Sequence, residues 1–322
     1  MSLTRLNPPP PVLPDLNWRS ITSADQGEVK ELADRCLLAD GGLSFINDPE
    51  HLQNRFFPDT PGAAIGAILP DGRLGACVAI HLAARQASPR ATISGLVLPA
   101  LRGSGIGSYL MDWSQAQARA MFSNSIDHPW TIQIRTESLT EPEDCLYRAY
   151  GFTRIFEELV MRRDLDQPLP AAPIPSDLTL SNWQPDLAEK FFQAYELAFR
   201  ERPGFPGLIA DEWISGVTGD DYVPEWTLLA LAGDVPAGFI IGTIVLSARP
   251  PGGYISQIGV IPAQRRRGLA SALMVEAMRR MQSAGIPWTE LAVHLNNPGA
   301  IQAYQRSGFE TIGRRAKYER TG

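Results

Sequence analysis

The sequence predicts two tandem domains of the α+β class, each with a mixed, mostly antiparallel sheet flanked by helices. The first observation behind this prediction is the length, because 322 residues exceed what one hydrophobic core usually organises. The second is that one succession of strands, a glycine-bearing loop and helices occurs twice along the chain. The third is the apolar fraction of 44%, which allows two packed cores and excludes a mainly disordered protein.

The internal repeat is clearest around the two glycine-bearing loops. Residues 97–107 read VLPALRGSGIG and match residues 260–270, which read VIPAQRRRGLA. Further along, the motif Tyr-x-x-x-Gly-Phe begins at Tyr147 in the first copy and at Tyr304 in the second. Matches in the same order at two separate places indicate that the chain is a duplication.

A change in composition predicts the domain boundaries. Residues 164–176 contain four prolines and predict an extended connector. We therefore expect a proline-rich tail over residues 1–14, a first domain over 15–163, this linker over 164–176 and a second domain over 177–322.

Both halves show the same order of predicted elements. An amphipathic helix precedes a hairpin, and the hairpin turns are marked by Pro70-Asp71-Gly72 and by Gly233-Asp234. A third strand ends at Pro99 or Pro262, because proline cannot donate to a β-ladder. The glycine loop, a helix, a strand and a short helix follow. The expected first helices cover 25–38 and 186–199, and the expected strands include 63–69, 74–82, 91–98, 226–231, 237–246, 254–261 and 288–295.

Charge and composition exclude several classes of function. The net charge of −6 argues against a general nucleic-acid or anionic-membrane binder, whose affinity comes mainly from Lys and Arg. The longest apolar run, 239–246, is far shorter than the roughly 18 residues of a membrane span, and the N-terminal sequence is not that of a secretory signal. Three cysteines without CxxC spacing predict neither a disulfide framework nor a metal site. We therefore expect a cytoplasmic protein with no metal, nucleic-acid or membrane partner.

The glycine loops predict a phosphate site. Successive backbone N–H groups at the positive end of a helix form an anion-binding concavity, and nearby arginines add charge-assisted hydrogen bonds. Arg102 and Arg265–Arg267 are placed in sequence for that task. The dinucleotide motif G-x-G-x-x-G fails because Leu110 stands at its last position, and the Walker motif fails because no lysine lies near either loop.

The order of these motifs resembles the signature of the GNAT superfamily of N-acetyltransferases: Val-x-Pro, then [Gln/Arg]-x-x-Gly-x-[Gly/Ala], then Tyr-x-x-x-Gly-Phe. The resemblance covers both halves and implies acetyl transfer from acetyl-CoA to an amine. It implies that the Val-x-Pro strand pairs with pantetheine and separates from the next strand, and that the loop binds the coenzyme pyrophosphate. The coenzyme-binding residues implied in the first half are Val97, Arg102, Gly103, Ser104, Gly105, Ile106, Gly107 and Ser108. Those implied in the second half are Ile258, Val260, Arg265, Arg266, Arg267, Gly268, Leu269, Ala270, Ser271 and Asn297.

The same resemblance gives Tyr304 and Tyr147 the role of general acid for the departing thiolate. A phenol with a pKa near 10 stays protonated at neutral pH, as this role requires. The second half is favoured as the catalytic one, because Asn297 and Ala300 match the family pattern where the first half has Thr140 and Glu143. No carboxylate lies on the strand that leads into either Val-x-Pro motif, so the general base is not identified. His294 is a candidate, and a purely structural role is the alternative for this residue.

The acceptor stays open at this point. A primary amine of a small molecule, attacked directly in a ternary complex, is the favoured interpretation. The alternatives are a lysine or N-terminal amine of a protein, and a non-catalytic acyl-CoA-binding sensor. The duplication suggests a monomer with two pseudo-symmetric domains, and a homodimer is the other possibility. Phe205, Trp213 and Tyr222 fall in the segment where this family builds its acceptor pocket, and pocket lining and core packing are equally compatible with them.

Overall fold

The computed structural model describes residues 16–83, 88–122, 129–201, 205 and 207–322, so the expected tail over 1–14 lies outside the described residues. The chain divides into two compact units. Unit 1 consists of Met1–Leu159 together with Ile312–Gly322, and unit 2 is Val160–Thr311. None of the helices in the described part of the chain combines the length and apolar character that a membrane span requires.

Strands and helices succeed one another as the repeat predicts. The strands are β1 Asn17–Ser20, β2 Gly62–Ile68, β3 Leu74–Leu82, β4 Arg90–Val97, β5 Thr131–Thr136, β6 Thr153–Asp164, β7 Thr179–Asn182, β8 Leu228–Ala232, β9 Val235–Val245, β10 Gly252–Val260, β11 Trp288–His294 and β12 Glu310–Thr321. The helices are α1 Gln26–Asp40, α2 Pro49–Phe56, α3 Ile106–Met121, α4 Glu141–Ala149, α5 Ala188–Phe199, α6 Ala210–Val217, α7 Leu269–Ser283 and α8 Pro298–Arg306.

The sheet of unit 1 has the strand order β1-β2-β3-β4-β5-β12. All neighbouring pairs are antiparallel except β4 and β5, which are parallel. Helix α3 packs on one face, where Trp113 and Tyr318 are fully buried. Helices α1 and α2 cover the other face, against alternate residues of β3 such as Cys77 and Ala79. The alternation of β3 side chains thus builds two apolar layers around one sheet.

The sheet of unit 2 contains the order β11-β10-β9-β8-β7, with one parallel pair, β10 and β11. Helices α5 and α6 pack on one face through an aromatic core in which Phe191, Tyr195, Trp213 and Phe239 are buried. Helix α7 contacts β9 and β10 from the other face. The predicted fold class, two mixed and mostly antiparallel sheets flanked by helices, is confirmed.

Two features differ from the sequence-based expectation. Helices α2 and α6 are additional short helices, and the compact units do not end where the expected domains 15–163 and 177–322 end. Strand β12, the last of the second repeat, lies in unit 1, where Tyr318 is paired with Ile134 of β5. Its ring contacts that of Tyr147 edge-on at 5.1 Å between centroids. The alternation in β12 identifies a strand, but it does not specify which of two similar sheets the strand completes.

Strand β12 should therefore contribute to the stability of unit 1. Replacing the fully buried Tyr318 with alanine should lower the free energy of unfolding by about 3–5 kcal/mol, as for other large aromatic side chains removed from a core. Tyr318→Phe should cost only about 1 kcal/mol, because it removes just the hydrogen bond to Asp144. Urea denaturation of the three proteins measures both values. Equal, small losses in both variants would show that β12 is not part of this core.

Candidate active site

The two parallel strands of unit 2 separate part of the way along their length. Strand β10 pairs with β11 only from Gly253 to Ile255, but it stays paired with β9 as far as Val260. An irregularity in the β9 pairing lies at the same place, between Ile255 and Gln257. Beyond Ile255 the backbone groups of β10 on the β11 side have no strand partner among the described residues. An extended ligand can therefore pair with this stretch, as the family resemblance implies for pantetheine.

A cleft of about 490 Å³ opens at this separation. It is bounded by β10, the end of α5, the glycine loop with the start of α7, and α8. Six residues that the sequence analysis selected lie together in its wall, namely Ile258, Val260, Arg265, Ala270, Asn297 and Tyr304. The remaining lining residues are Ala198, Phe199, Glu201, Gly259, Ala300 and Ala303.

The glycine loop places the uncapped N-terminus of α7 at this cleft. Gly268 is the N-cap of α7 with a φ of 82°, and no side chain caps the helix. A Cβ at Gly268 would meet no atom within 4 Å, so the concavity is open. Leu269 is buried and anchors the first turn, in which Ala270 and Ser271 also lie. Free N–H groups, the positive end of a 15-residue helix and open space fit the phosphates of acetyl-CoA.

Two of the three loop arginines have protein partners, which the sequence analysis did not predict. Arg265 donates from Nε to the carbonyl oxygen of Val260 at 3.2 Å and pairs with Glu201 at 2.9 Å. Arg267 pairs with Asp177 at 2.5 Å. Sequence reasoning missed these partners because they come from distant parts of the chain.

The remaining predicted residues of unit 2 are placed as follows. Asn297 caps α8, since its Oδ1 accepts a hydrogen bond from the Ala300 N–H at 3.2 Å. Tyr304 is half-buried and lines the cleft, with its ring 6.1 Å from that of Phe309. His294 is at the end of β11, where its Nδ1 accepts from a backbone N–H, and it is not among the lining residues.

A hydrogen bond that the sequence analysis did not find connects α6 to β10. Trp213, 2% exposed and stacked on Tyr195, donates from Nε1 to Oε1 of Gln257 at 3.1 Å. Because an indole N–H is only a donor, this bond fixes which end of the Gln257 amide faces α6. For Trp213 the structure thus favours core packing over pocket lining. Tyr222 packs at the edge of the same aromatic core, against Trp183, and Phe205 packs against Tyr195.

Unit 1 repeats the backbone geometry of this site. Strands β4 and β5 are paired only as far as Ile93 and Ile134. Gly105 is the uncapped N-cap of α3 with a φ of 86°, and Gly103 has a φ of 79°. Ser104 donates to the Leu101 carbonyl oxygen at 2.6 Å, and a buried Ile106 anchors the helix. Gly107 and Ser108 lie in the first turn of α3.

The cavity beside Val97 in unit 1 nevertheless has a volume of only about 20 Å³, room for about one water molecule. Glu143 lies in its wall at the position that Ala300 holds in unit 2, and Arg55 of α2 also lines it. Burial raises the pKa of the Glu143 carboxyl. Burial also raises the pKa of the Tyr147 phenol well above its usual range. Side chains therefore fill in unit 1 the space that is open in unit 2.

Arg102, the counterpart of Arg265, is held more tightly than the arginine it matches. Its two terminal nitrogens each donate to a carboxylate oxygen of Asp40 at 2.6 Å, and its Nε donates to the Val97 carbonyl oxygen at 3.1 Å. The side chain of Asp40 is only 6% exposed. Arg102 thus locks the loop of unit 1 to α1 and to the end of β4.

The difference between the two ion pairs predicts a difference in stability. Asp40→Asn should lower the free energy of unfolding by about 2–3 kcal/mol, because it leaves the Arg102 guanidinium without its buried carboxylate. Glu201→Gln, the matched change at the exposed pair with Arg265, should cost less than about 1 kcal/mol. Urea denaturation of both variants tests this. A larger loss for Glu201→Gln would contradict the assignment of the Arg102 pair as the structural lock.

Comparisons with known proteins agree with this geometry. Residues 186–309 match the model of the Acetyltransferase (GNAT) family. The mycothiol acetyltransferase of Clavibacter michiganensis subsp. michiganensis is 27% identical over 97% of this chain and 98% of its own length. That of a Nocardioides species is 26% identical over 70% of this chain and 73% of its own.

Two solved structures cover nearly the whole chain. A GCN5-related N-acetyltransferase from Sphaerobacter thermophilus has a TM-score of 0.72 at 26% identity, covering 96% of this chain and 97% of its own. A tandem GNAT protein from the clavulanic acid biosynthesis pathway shares the fold with a TM-score of 0.62 at 19% identity, over 95% and 98% of the two chains. The family match of residues 186–309, together with the relatives and solved structures that span both repeats, supports a tandem GNAT architecture and an acyltransferase that uses acetyl-CoA.

Proposed function

We propose that this protein transfers the acetyl group of acetyl-CoA to a primary amine of a small molecule, and that the reaction takes place in unit 2. The observation that carries the proposal is the contrast between two equivalent cavities. The cavity beside Val260 measures about 490 Å³ and the one beside Val97 about 20 Å³. Only the larger one can admit an extended thioester and an acceptor without rearrangement of the protein.

Each wall of the larger cleft has a separate task in this proposal. The unpaired edge of β10 holds the extended arm of the coenzyme, and one of its N–H groups polarises the thioester oxygen. The start of α7 receives the phosphates. Asn297, by capping α8, fixes the helix that carries Tyr304.

Tyr304 is the proposed general acid. Acetyl-CoA supplies the thioester, and its departing thiolate needs a proton when the acceptor nitrogen attacks the carbonyl carbon. The departing thiolate takes its proton from the phenol on the cleft wall, which is available as an acid because a phenol with an ordinary pKa near 10 is still protonated at neutral pH, and the phenolate then regains a proton from water. Because none of the described residues that line the cleft is a cysteine or a serine, direct attack by the acceptor in a ternary complex is the mechanism we propose.

A small-molecule acceptor is supported by the relatives, which are named for acetylation of mycothiol, a small molecule, and match over both repeats. Strand β10 carries no ionisable side chain from Gly252 to Val260 other than Tyr254. We therefore propose that the acceptor amine loses its proton to water rather than to a carboxylate on this strand. The kinetic experiment described below also distinguishes a small amine from a protein amine as the acceptor.

Acetyl-CoA should bind once per chain. Isothermal titration should give one site in the wild type and none in Gly268→Glu, whose side chain would place a negative charge in the phosphate concavity. Gly105→Glu, the matched change in unit 1, should leave this site intact. Two sites in the wild type would contradict the proposal that unit 1 is closed, and no site would contradict the proposal as a whole.

Tyr304→Phe should lower kcat by about 100-fold or more, the usual contribution of a general acid, and leave the affinity for acetyl-CoA unchanged. Tyr147→Phe is the matched control and should keep the wild-type kcat. The rate is measured as release of free thiol in the presence of a panel of small primary amines. An unchanged kcat in Tyr304→Phe would remove this residue from the mechanism. Acetylation of protein substrates without turnover of any small amine would contradict a small-molecule acceptor and indicate a protein amine instead.

A further inference from the structure

The irregularity in the pairing of β10 with β9 decides which helix Gln257 faces. Gly253, before the irregularity, faces α7, since a Cβ there would lie 2.7 Å from the sulfur of Met281. Gln257 is four positions later, so regular alternation would direct it to α7 as well. The extra residue, Ser256, is left out of the pairing, and Gln257 therefore pairs with Ile241, which packs in the aromatic core of α5 and α6. Bulges of this kind re-aim side chains beside active sites.

The side-chain amide of Gln257 has a fixed orientation. Its Oε1 accepts a hydrogen bond from Nε1 of Trp213, which is 2% exposed and held among the rings of the aromatic core. Turning the amide over would place its NH2 group against the indole N–H, two donors with no acceptor between them. The NH2 group of this half-buried side chain thus points away from Trp213, and it forms no hydrogen bond with any described residue. Its two N–H donors are available to a ligand.

Gln257 lies next to the candidate active site. Gly259, two residues along the same strand and on the same face, lines the cleft, and the rise of a strand puts the two residues about 7 Å apart. The backbone between them is in the stretch that is not paired with β11. This is the stretch that holds the extended arm of the coenzyme in the proposed function.

The direction of attack on the thioester points to the same face. An arm that extends the ladder has its carbonyl groups close to the plane of the sheet, because the ladder hydrogen bonds lie in that plane. A nucleophile approaches a carbonyl carbon from above or below the carbonyl plane, and hence from one face of the sheet. Helix α7 covers one face of β10, whereas on the other face α5 ends beside the cleft at Phe199. The second face is the one that carries Gln257.

Unit 1 has neither the irregularity nor the amide at the equivalent place. Its strand β4 pairs with β3 in a regular register from Ala91 to Val97. The residue equivalent to Gln257, three positions before the valine that ends the strand, is Ser94, which is 1% exposed. The re-aimed amide therefore occurs with the open cleft of unit 2, and a buried serine occurs with the small cavity of unit 1.

We propose that Gln257 selects the acceptor, and that its NH2 group donates hydrogen bonds to an oxygen atom close to the reacting nitrogen. The neutral nitrogen must keep its lone pair for the attack, so this bond has to go to a different atom of the acceptor. The acceptor is accordingly an amine with a carbonyl or hydroxyl oxygen rather than a plain alkylamine. Trp213 is a positioning residue that acts through Gln257. The inference rests on the function proposed above for unit 2.

Three amines with one carbon skeleton test this proposal. L-Leucinamide has a carbonyl oxygen, L-leucinol has a hydroxyl, and 3-methylbutylamine has neither. We would measure kcat/KM for each amine at saturating acetyl-CoA in wild type, Gln257→Glu, Gln257→Met and Ser256→Ala. Gln257→Glu keeps an acceptor for Trp213 and Gln257→Met does not, but both lack the N–H donors.

Both Gln257 variants should lower kcat/KM for the oxygen-bearing amine, relative to that for 3-methylbutylamine, by about 10- to 100-fold, the effect of a lost hydrogen bond that the site is built to make. The amide or the alcohol that shows this loss identifies the oxygen as carbonyl or hydroxyl. Ser256→Ala, the control at the exposed neighbouring residue, should change the same ratio by less than about twofold. Acetyl-CoA affinity should stay at the wild-type value in all variants.

Two outcomes separate this proposal from the function on which it rests. If both Gln257 variants acetylate all three amines with the wild-type ratios, Gln257 does not select the acceptor, although the acetyltransferase function stands. If the wild type binds acetyl-CoA but acetylates none of these amines and none of the wider panel, the proposed function itself is contradicted.

Trp213→Phe tests the positioning role. It removes the indole N–H but keeps an aromatic ring in the core, so the Gln257 amide is free to turn over. The preference for the oxygen-bearing amine should fall by about 3- to 10-fold, with kcat/KM for 3-methylbutylamine unchanged. An equal loss for all three amines would show that Trp213 only supports the core and would overturn its positioning role.

Discussion

The separation of β10 from β11 is the constraint on which the proposed chemistry depends. A continuous parallel ladder would satisfy every backbone group and leave no room between the strands. Here β9 holds β10 as far as Val260, while β11 remains paired with it only to Leu291. Gly259 permits close contact on one face, because a Cβ there would lie 2.7 Å from Phe239 and 2.9 Å from Ala198. The end of α5 can thus border the cleft while α8 borders it from the other side.

Much of this site could be predicted from the sequence because its parts are local. The glycine loops, the proline that ends each third strand and the Tyr-x-x-x-Gly-Phe motif act through backbone conformation within a few residues. Strand β3 lies at the expected residues 74–82, and β2, β4 and β10 lie within two residues of expectation. The substitution of Ala300 by Glu143 in the first copy was visible in the sequence, and it marks the cavity that is filled.

The remaining features depend on contacts between distant segments, which no local pattern encodes. The arginine triplet suggested phosphate contacts, but it could not show that Arg265 and Arg267 also pair with carboxylates more than 60 positions away. Arg55 enters the cavity of unit 1 from α2, a helix that the sequence analysis did not find. The destination of β12 was missed for the same reason, because two similar sheets offer similar edges to one amphipathic strand.

The two copies use the first arginine of the loop in the same way and differ in what surrounds it. In both units its Nε donates to the carbonyl oxygen of the valine that ends the strand, so this contact holds the loop whether or not a ligand binds. In unit 1 the guanidinium is locked to a buried Asp40, and neighbouring polar side chains fill the cavity. In unit 2 the corresponding pair is exposed and the cleft beside Val260 is open. A cavity filled by its own ion pairs favours stability, whereas unsatisfied donors beside an open cleft favour binding, because a ligand can then satisfy them. Divergence after duplication would thus have given stability to unit 1 and ligand binding to unit 2, two properties that a single active site must combine.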